Sequence, residues 1–91
     1  MVTRRVINCT NAVSKEALHQ YLKDVLHLPD YYGGNLDALF DCLTEISSPT
    51  RLVLQHTQRL ISLGDYGEAL LSTFRDAALE NPNITLEENS D

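Results

Sequence analysis

This chain is short of cations, of cysteine and of long apolar runs, and each shortage argues against a class of function. Seven Lys and Arg stand against thirteen Asp and Glu, a formal charge of −6. Phosphates need cations opposite them, so this balance argues against direct nucleic-acid binding. It favours a basic partner, met faster at low salt. Two cysteines, Cys9 and Cys42, do not make a disulfide framework; a bridge between them is open but is not implied by their spacing. No stretch approaches the ~20 apolar residues that span a bilayer, and the opening Met-Val-Thr-Arg-Arg is not followed by the apolar run of a secretory signal. The expected compartment is a reducing cytoplasm. His19 and His27 stand eight apart, which is not metal-ligand spacing, and are expected to be solvated or capping residues. Without a phosphate-binding Gly loop, a nucleophile–base motif or a Cys/His cluster, no enzyme activity, metal or cofactor is expected. No repeat or low-complexity segment divides the 91 residues, which read as one domain, 1–91, with a modest core.

What is present alternates between strand and helix signals. Arg5 to Cys9 reads as a short buried strand, and Thr10 to Val13 turns the chain. Ser14 can cap a helix to about Leu26, with Ala17, Leu18, Tyr21, Leu22, Val25 and Leu26 at helical spacing. Arg51 to His56 reads as a strand whose continuous apolar centre suits cover on both faces. A short helix is expected over Thr57 to Leu63. Asp65-Tyr66-Gly67-Glu68 matches a capping box that opens a helix to about Glu80, with Leu70, Leu71, Phe74, Ala77 and Ala78 as its apolar arc. Asn81 and Pro82 stop that helix, and Asn83 to Glu87 reads as a third strand with Ile84 and Leu86 alternating. Strands separated by helices imply parallel pairing with right-handed crossovers. The expected fold class is α/β, a three-stranded parallel sheet packed against three to four helices.

The chain is organised around residues 28 to 46, Leu-Pro-Asp-Tyr-Tyr-Gly-Gly-Asn-Leu-Asp-Ala-Leu-Phe-Asp-Cys-Leu-Thr-Glu-Ile. Pro29 and the Gly33-Gly34 pair shape a loop, and Asn35 is a good N-cap for a helix from Leu36 to about Ile46. Leu36, Leu39, Phe40, Leu43 and Ile46 share one arc. Asp37 and Asp41 are four apart and therefore stack on the surface, with Glu45 continuing the row. No Lys or Arg lies between Lys23 and Arg51, so these acids have no cation in their own segment. Cys42, on the flank of the arc, is expected as a half-buried thiol. A second acidic row, Asp76 and Glu80, repeats the four-residue spacing on the later helix.

The run Tyr31-Tyr32-Gly33-Gly34-Asn35-Leu36-Asp37-Ala38-Leu39-Phe40-Asp41-Cys42-Leu43-Thr44 resembles the barstar family, intracellular inhibitors of barnase-type microbial ribonucleases. The likeness covers most of the chain and is weakest at residues 46 to 66 and in the C-terminal tail. It implies the same sheet-and-helix architecture. It also implies a protein inhibitor that plugs the basic active site of a secreted microbial ribonuclease, one to one, as a monomer when free. Its carboxylates would occupy RNA-phosphate positions and offer no scissile bond. Carried across residue by residue, it implies contact roles for Tyr31, Gly33, Asn35, Asp37, Phe40, Asp41 and Thr44. Asp41 matches the family's central aspartate, Asp76 a glutamate at the interface rim, and Glu80 an acid that acts mainly through the field. Tyr31 and Tyr32 suit the plug's edge. Three positions depart from the pattern: Phe40 and Ile46 stand where the family has Trp, and Gly34 where it has Glu. Asp76 is one methylene shorter than the family residue. These changes bear on which ribonuclease is bound more than on the mode of binding. The acidic rows taken alone fit equally an immunity or antitoxin-type partner of some other basic protein.

Overall fold

The computed structural model describes residues 1–91. Three parallel strands, β1 (Thr3–Asn8), β2 (Thr50–Gln55) and β3 (Ile84–Glu88), form one sheet in the order β1-β2-β3. Three α-helices occupy the crossovers: α1 (Lys15–Val25), α2 (Leu36–Thr44) and α3 (Asp65–Glu80). A 3-10 turn at Cys9–Asn11 and a 3-10 helix at Thr57–Leu63 complete the chain. This is the α/β architecture expected from the alternation of signals, with strand ends shifted by one or two residues. β1 begins at Thr3 and gives up Cys9 to the 3-10 turn, because Asn8 Oδ1 accepts from the Thr10 N–H and bends the chain there.

Register explains where the core sits. Ile7 pairs with Leu54, and Leu52 with both Arg5 and Leu86. Successive side chains on a strand point to opposite faces. Ile7, Leu52, Leu54 and Ile84 meet the helices, burying against Leu18, Leu22, Leu39, Leu43, Leu70, Phe74 and Ala77. Val53 points the other way and stands apart from that cluster, yet it is buried. Its register partners are Val6 and Glu87, and Glu87 is ion-paired with Arg51 on that face. A strand advancing in one direction through β1, β2 and β3 with crossovers of one hand lays both on the same side of the sheet.

The helix ends follow local chemistry, with one exception. Ser14 Oγ accepts from the Ala17 N–H at 3.1 Å, Glu16 sits in the first turn of α1 and Lys23 in the last, each matching the helix dipole. The capping box expected at Asp65 does not form. Gly64, at φ +59°, is the residue before the helix, Asp65 is already helical, and no side chain caps the end. Asp65 and Glu68 still lie in the first turn, where they favour the dipole. The close packing of the 3-10 helix on α3 requires Gly67: a Cβ there would fall 2.3 Å from the Leu60 carbonyl oxygen. Gly67→Ala is therefore expected to cost about 1–3 kcal/mol by forcing the two segments apart. A urea titration should show a lower midpoint at unchanged slope. Cys9 and Cys42 are both free thiols, Cys9 buried and Cys42 half-buried. Burial pushes the Cys9 thiol up to about 11.

Candidate partner-binding surface

The loop 28 to 35 and α2 form one unit, built from both ends. At the near end, the Tyr32 N–H donates to the Pro29 carbonyl at 2.9 Å, Gly34 takes φ +68°, and Asn35 Oδ1 accepts from the Ala38 N–H at 2.8 Å. The last bond is the N-cap expected for Asn35. At the far end, α2 stops at Thr44, two residues short of the Ile46 the apolar arc suggests. The reason lies elsewhere in the chain. Asn81, only 5 % exposed, donates its amide to the carbonyls of Leu43 (3.0 Å) and Ile46 (2.9 Å), and its own oxygen accepts from the Asn83 N–H. The Leu43 carbonyl, which a longer α2 would offer to residue 47, instead accepts from the Ile46 N–H at 3.2 Å and from the Asn81 side chain at the end of α3. The same bonds bring the C-terminal ends of α2 and α3 together.

Leu39 and Leu43 seat α2 in the core, with Leu36, Phe40 and Ile46 half-buried at its margin. That orientation turns Asp37, Asp41 and Glu45 outward, all exposed. Asp37 lies in the first turn, where the dipole favours it, and Asp41 in the last, where it opposes the dipole, with no cation in that turn. The molecule has two ion pairs, Arg51–Glu87 and Arg75–Glu88, and both involve the β3 end of the sheet. Asp37, Asp41, Asp76 and Glu80 are in neither. Asp76 and Glu80 are exposed on α3, and Glu80 immediately precedes the Asn81 that grips α2. The acids expected at the surface are thus exposed on two helices in mutual contact and carry no internal counter-charge.

The other expected residues divide. Tyr31 is 83 % exposed, and Gly33 and Asn35 are exposed beside it. Phe40 is half-buried against the core, so only part of its ring is presented. Thr44 is half-buried, its hydroxyl donating to the Asp41 carbonyl at 3.1 Å. Tyr32 does not line the edge of this surface; it turns inward, and its hydroxyl bonds His19 Nδ1. His19 is correspondingly not a solvated residue. It is 5 % exposed, with Nε2 bonded to the Tyr66 hydroxyl. Burial lowers its pKa below 6.5 and raises those of Tyr32 and Tyr66. His19 stands three residues before Leu22 and seven before Leu26. That spacing on the apolar arc was the available sign of burial. No cluster of His, Cys, Asp and Glu is arranged to hold a metal ion, and no helix is long and apolar enough to cross a membrane.

Two comparisons bear on this surface. The model of the family described as Barstar (barnase inhibitor) matches residues 2–87. The chain is also 46 % identical over 67 residues to the "Putative ribonuclease inhibitor YrdF" of Bacillus subtilis (strain 168), a match that covers 71 % of this chain and 74 % of that protein.

Proposed function

This chain belongs to the barstar family, and from that premise we propose that it inhibits a secreted microbial ribonuclease by presenting the loop 28–35 and α2 to the enzyme's basic active site. The observation that carries the reading is Asp41. It is exposed in the last turn of α2, four residues from Asp37, with the helix dipole against it and no cation paired to it. Both effects oppose the folded state by a few tenths of a kcal/mol each. A partner that brings Arg, Lys and His groups removes both.

A ribonuclease must hold cationic donors where the RNA phosphate sits. Carboxylates of Asp37 and Asp41 can enter those positions, and a carboxylate offers an Arg two oxygens in the bidentate geometry of a phosphate. Nothing in them can be cleaved. Exposed Tyr31 supplies contact area with little side-chain freedom to lose, and Gly33 and Asn35 let the backbone come close. Thr44 and the presented part of Phe40 flank the acids. Asp76 and Glu80 on α3 add negative potential at the rim, where charge raises the encounter rate more than it deepens affinity.

Titrating the activity of a barnase-type ribonuclease with the purified protein at low and moderate salt tests this. The expected result is a sharp one-to-one endpoint that loosens as salt rises. Failure against a panel of related microbial ribonucleases would end the reading and favour a basic partner of another kind, such as a toxin that requires an immunity protein.

A further inference from the structure

We propose that Tyr66 is a positioning residue for the contact loop, acting through His19 on Tyr32; this rests on the reading that the loop meets the partner. Tyr66 lies in the first turn of α3, far along the chain from the loop, and it is absent from the surface described above. Its hydroxyl bonds His19 Nε2, and the other ring nitrogen, Nδ1, bonds the Tyr32 hydroxyl. Three elements are thereby joined through one imidazole: α3, α1 and the loop.

The base of the loop is tied to α1 by the Leu28 N–H, which donates to the Lys23 carbonyl at 3.0 Å, and Leu28 and Tyr32 pack against the core. Tyr32 N–H bonds the Pro29 carbonyl within the loop, and Asn35 bonds Ala38 and Leu39 of the helix it caps. Among the hydrogen bonds of residues 29–35, the one from Tyr32 to His19 is the only one that reaches another element. Gly34 is placed over the same spot, where a Cβ would approach His19 Cβ to 3.9 Å. The loop therefore rests on His19, and the orientation of His19 is set from the other side by Tyr66. Lys15 lies 4.5 Å above the Tyr66 ring, a cation–π contact that favours this placement of the ring.

The chemistry of a neutral imidazole makes the two ends interdependent. One ring nitrogen donates and the other accepts, so one tyrosine hydroxyl receives a proton and the other gives one. Which end does which is chosen jointly. Removing the Tyr66 hydroxyl releases that choice and lets the ring turn, and the Tyr32 bond loses its fixed partner. Cutting this part-buried chain at Tyr66 therefore weakens the bond at Tyr32 as well.

The test is Tyr66→Phe in the full chain, which keeps the ring, its packing and the Lys15 contact. In the free protein, amide hydrogen exchange should accelerate at the hydrogen-bonded loop amide Tyr32 and at Ala38 and Leu39, whose N–H groups bond Asn35 at the end of the loop, by about 3- to 10-fold, the equivalent of one net hydrogen bond. The acceleration should exceed any change at Val53 and Leu54 in β2. With a barnase-type ribonuclease, the dissociation rate should rise by a similar factor while the association rate holds, since no charge has changed. Tyr32→Phe, cutting the other end, should release the same amides. If β2 amides lose protection and the loop amides do not, Tyr66 is only a stabilising contact and the proposal fails. Exchange in the free protein needs no partner, so that failure is distinct from failure of the inhibitor reading, which would appear as an unmodified chain that inhibits no ribonuclease.

Discussion

Asp41→Ala is expected to weaken ribonuclease inhibition by about 2–5 kcal/mol, the cost of removing one member of a desolvated, hydrogen-bonded charge pair. In affinity that is roughly 30- to 4,000-fold. The same change should leave the free protein folded and slightly more stable. Asp41 ends α2 with the wrong sign for the dipole and stacks one turn from Asp37; alanine removes both effects and adds helix propensity. Measuring the inhibition constant and the urea midpoint on the same preparation separates the two outcomes. Opposite signs are the signature of a residue placed for a partner. Undiminished inhibition would remove Asp41 from the centre of the surface. A parallel loss of stability would mean that it has a structural role that its exposure does not reveal.

The second large effect is at Asn81. Asn81→Leu keeps the branching and the number of side-chain heavy atoms, with some added bulk, but withdraws the donors from the Leu43 and Ile46 carbonyls and the acceptor from the Asn83 N–H. A buried polar group left without its partner costs about 1–3 kcal/mol. Ile46 keeps a second donor in the Asn83 side chain at 3.2 Å, and Leu43 keeps one in the Ile46 N–H at 3.2 Å, so the Asn83 N–H is the group left stranded and the expected total is about 1–3 kcal/mol. The loss should be seen as a lower unfolding midpoint, with amide protection falling first in the last turn of α2. Inhibition should weaken as well, because that turn carries Asp41. A midpoint shift worth less than about 0.5 kcal/mol, the range of an ordinary surface substitution, would show that water takes over from the amide.

These two residues differ in how visible they were. Asp41 was legible because its surroundings are local: Leu39 and Leu43 define the buried arc, Asn35 the start of the helix, and the missing cations the unpaired charge, all within a dozen residues. The three-stranded parallel sheet was legible for the same reason, since each strand and helix carries its own period. Asn81 read only as a helix stop before Pro82. Its bonds reach back 35 to 38 residues, and no local pattern encodes a partner at that distance. The bond between His19 and Tyr66, 47 residues apart, was invisible for the same reason: the apolar-arc spacing could mark His19 as buried but could not name its partner. Gly67 inside an apparent capping box had a purely tertiary cause, the Leu60 carbonyl above it. Tyr32 shows the converse error. The two adjacent tyrosines looked equivalent in a loop signature, but a turn sends neighbours in different directions, and only Tyr31 remained outside.

The way α2 is held at both ends limits how the surface can be used outside its fold. A nine-residue helix is below the ~12–15 residues at which isolated helices become even marginal in water. Its last carbonyls depend on a side chain from the end of α3, and its leading loop hangs from α1. A peptide spanning Tyr31 to Thr44 would retain every acid of the motif and neither of the two clamps that hold its ends. Grafted onto another scaffold, the motif would have to bring equivalents of Asn81 and His19 with it. The signature proposed to meet the partner is contiguous in sequence, but the surface it forms depends on nearly the whole chain.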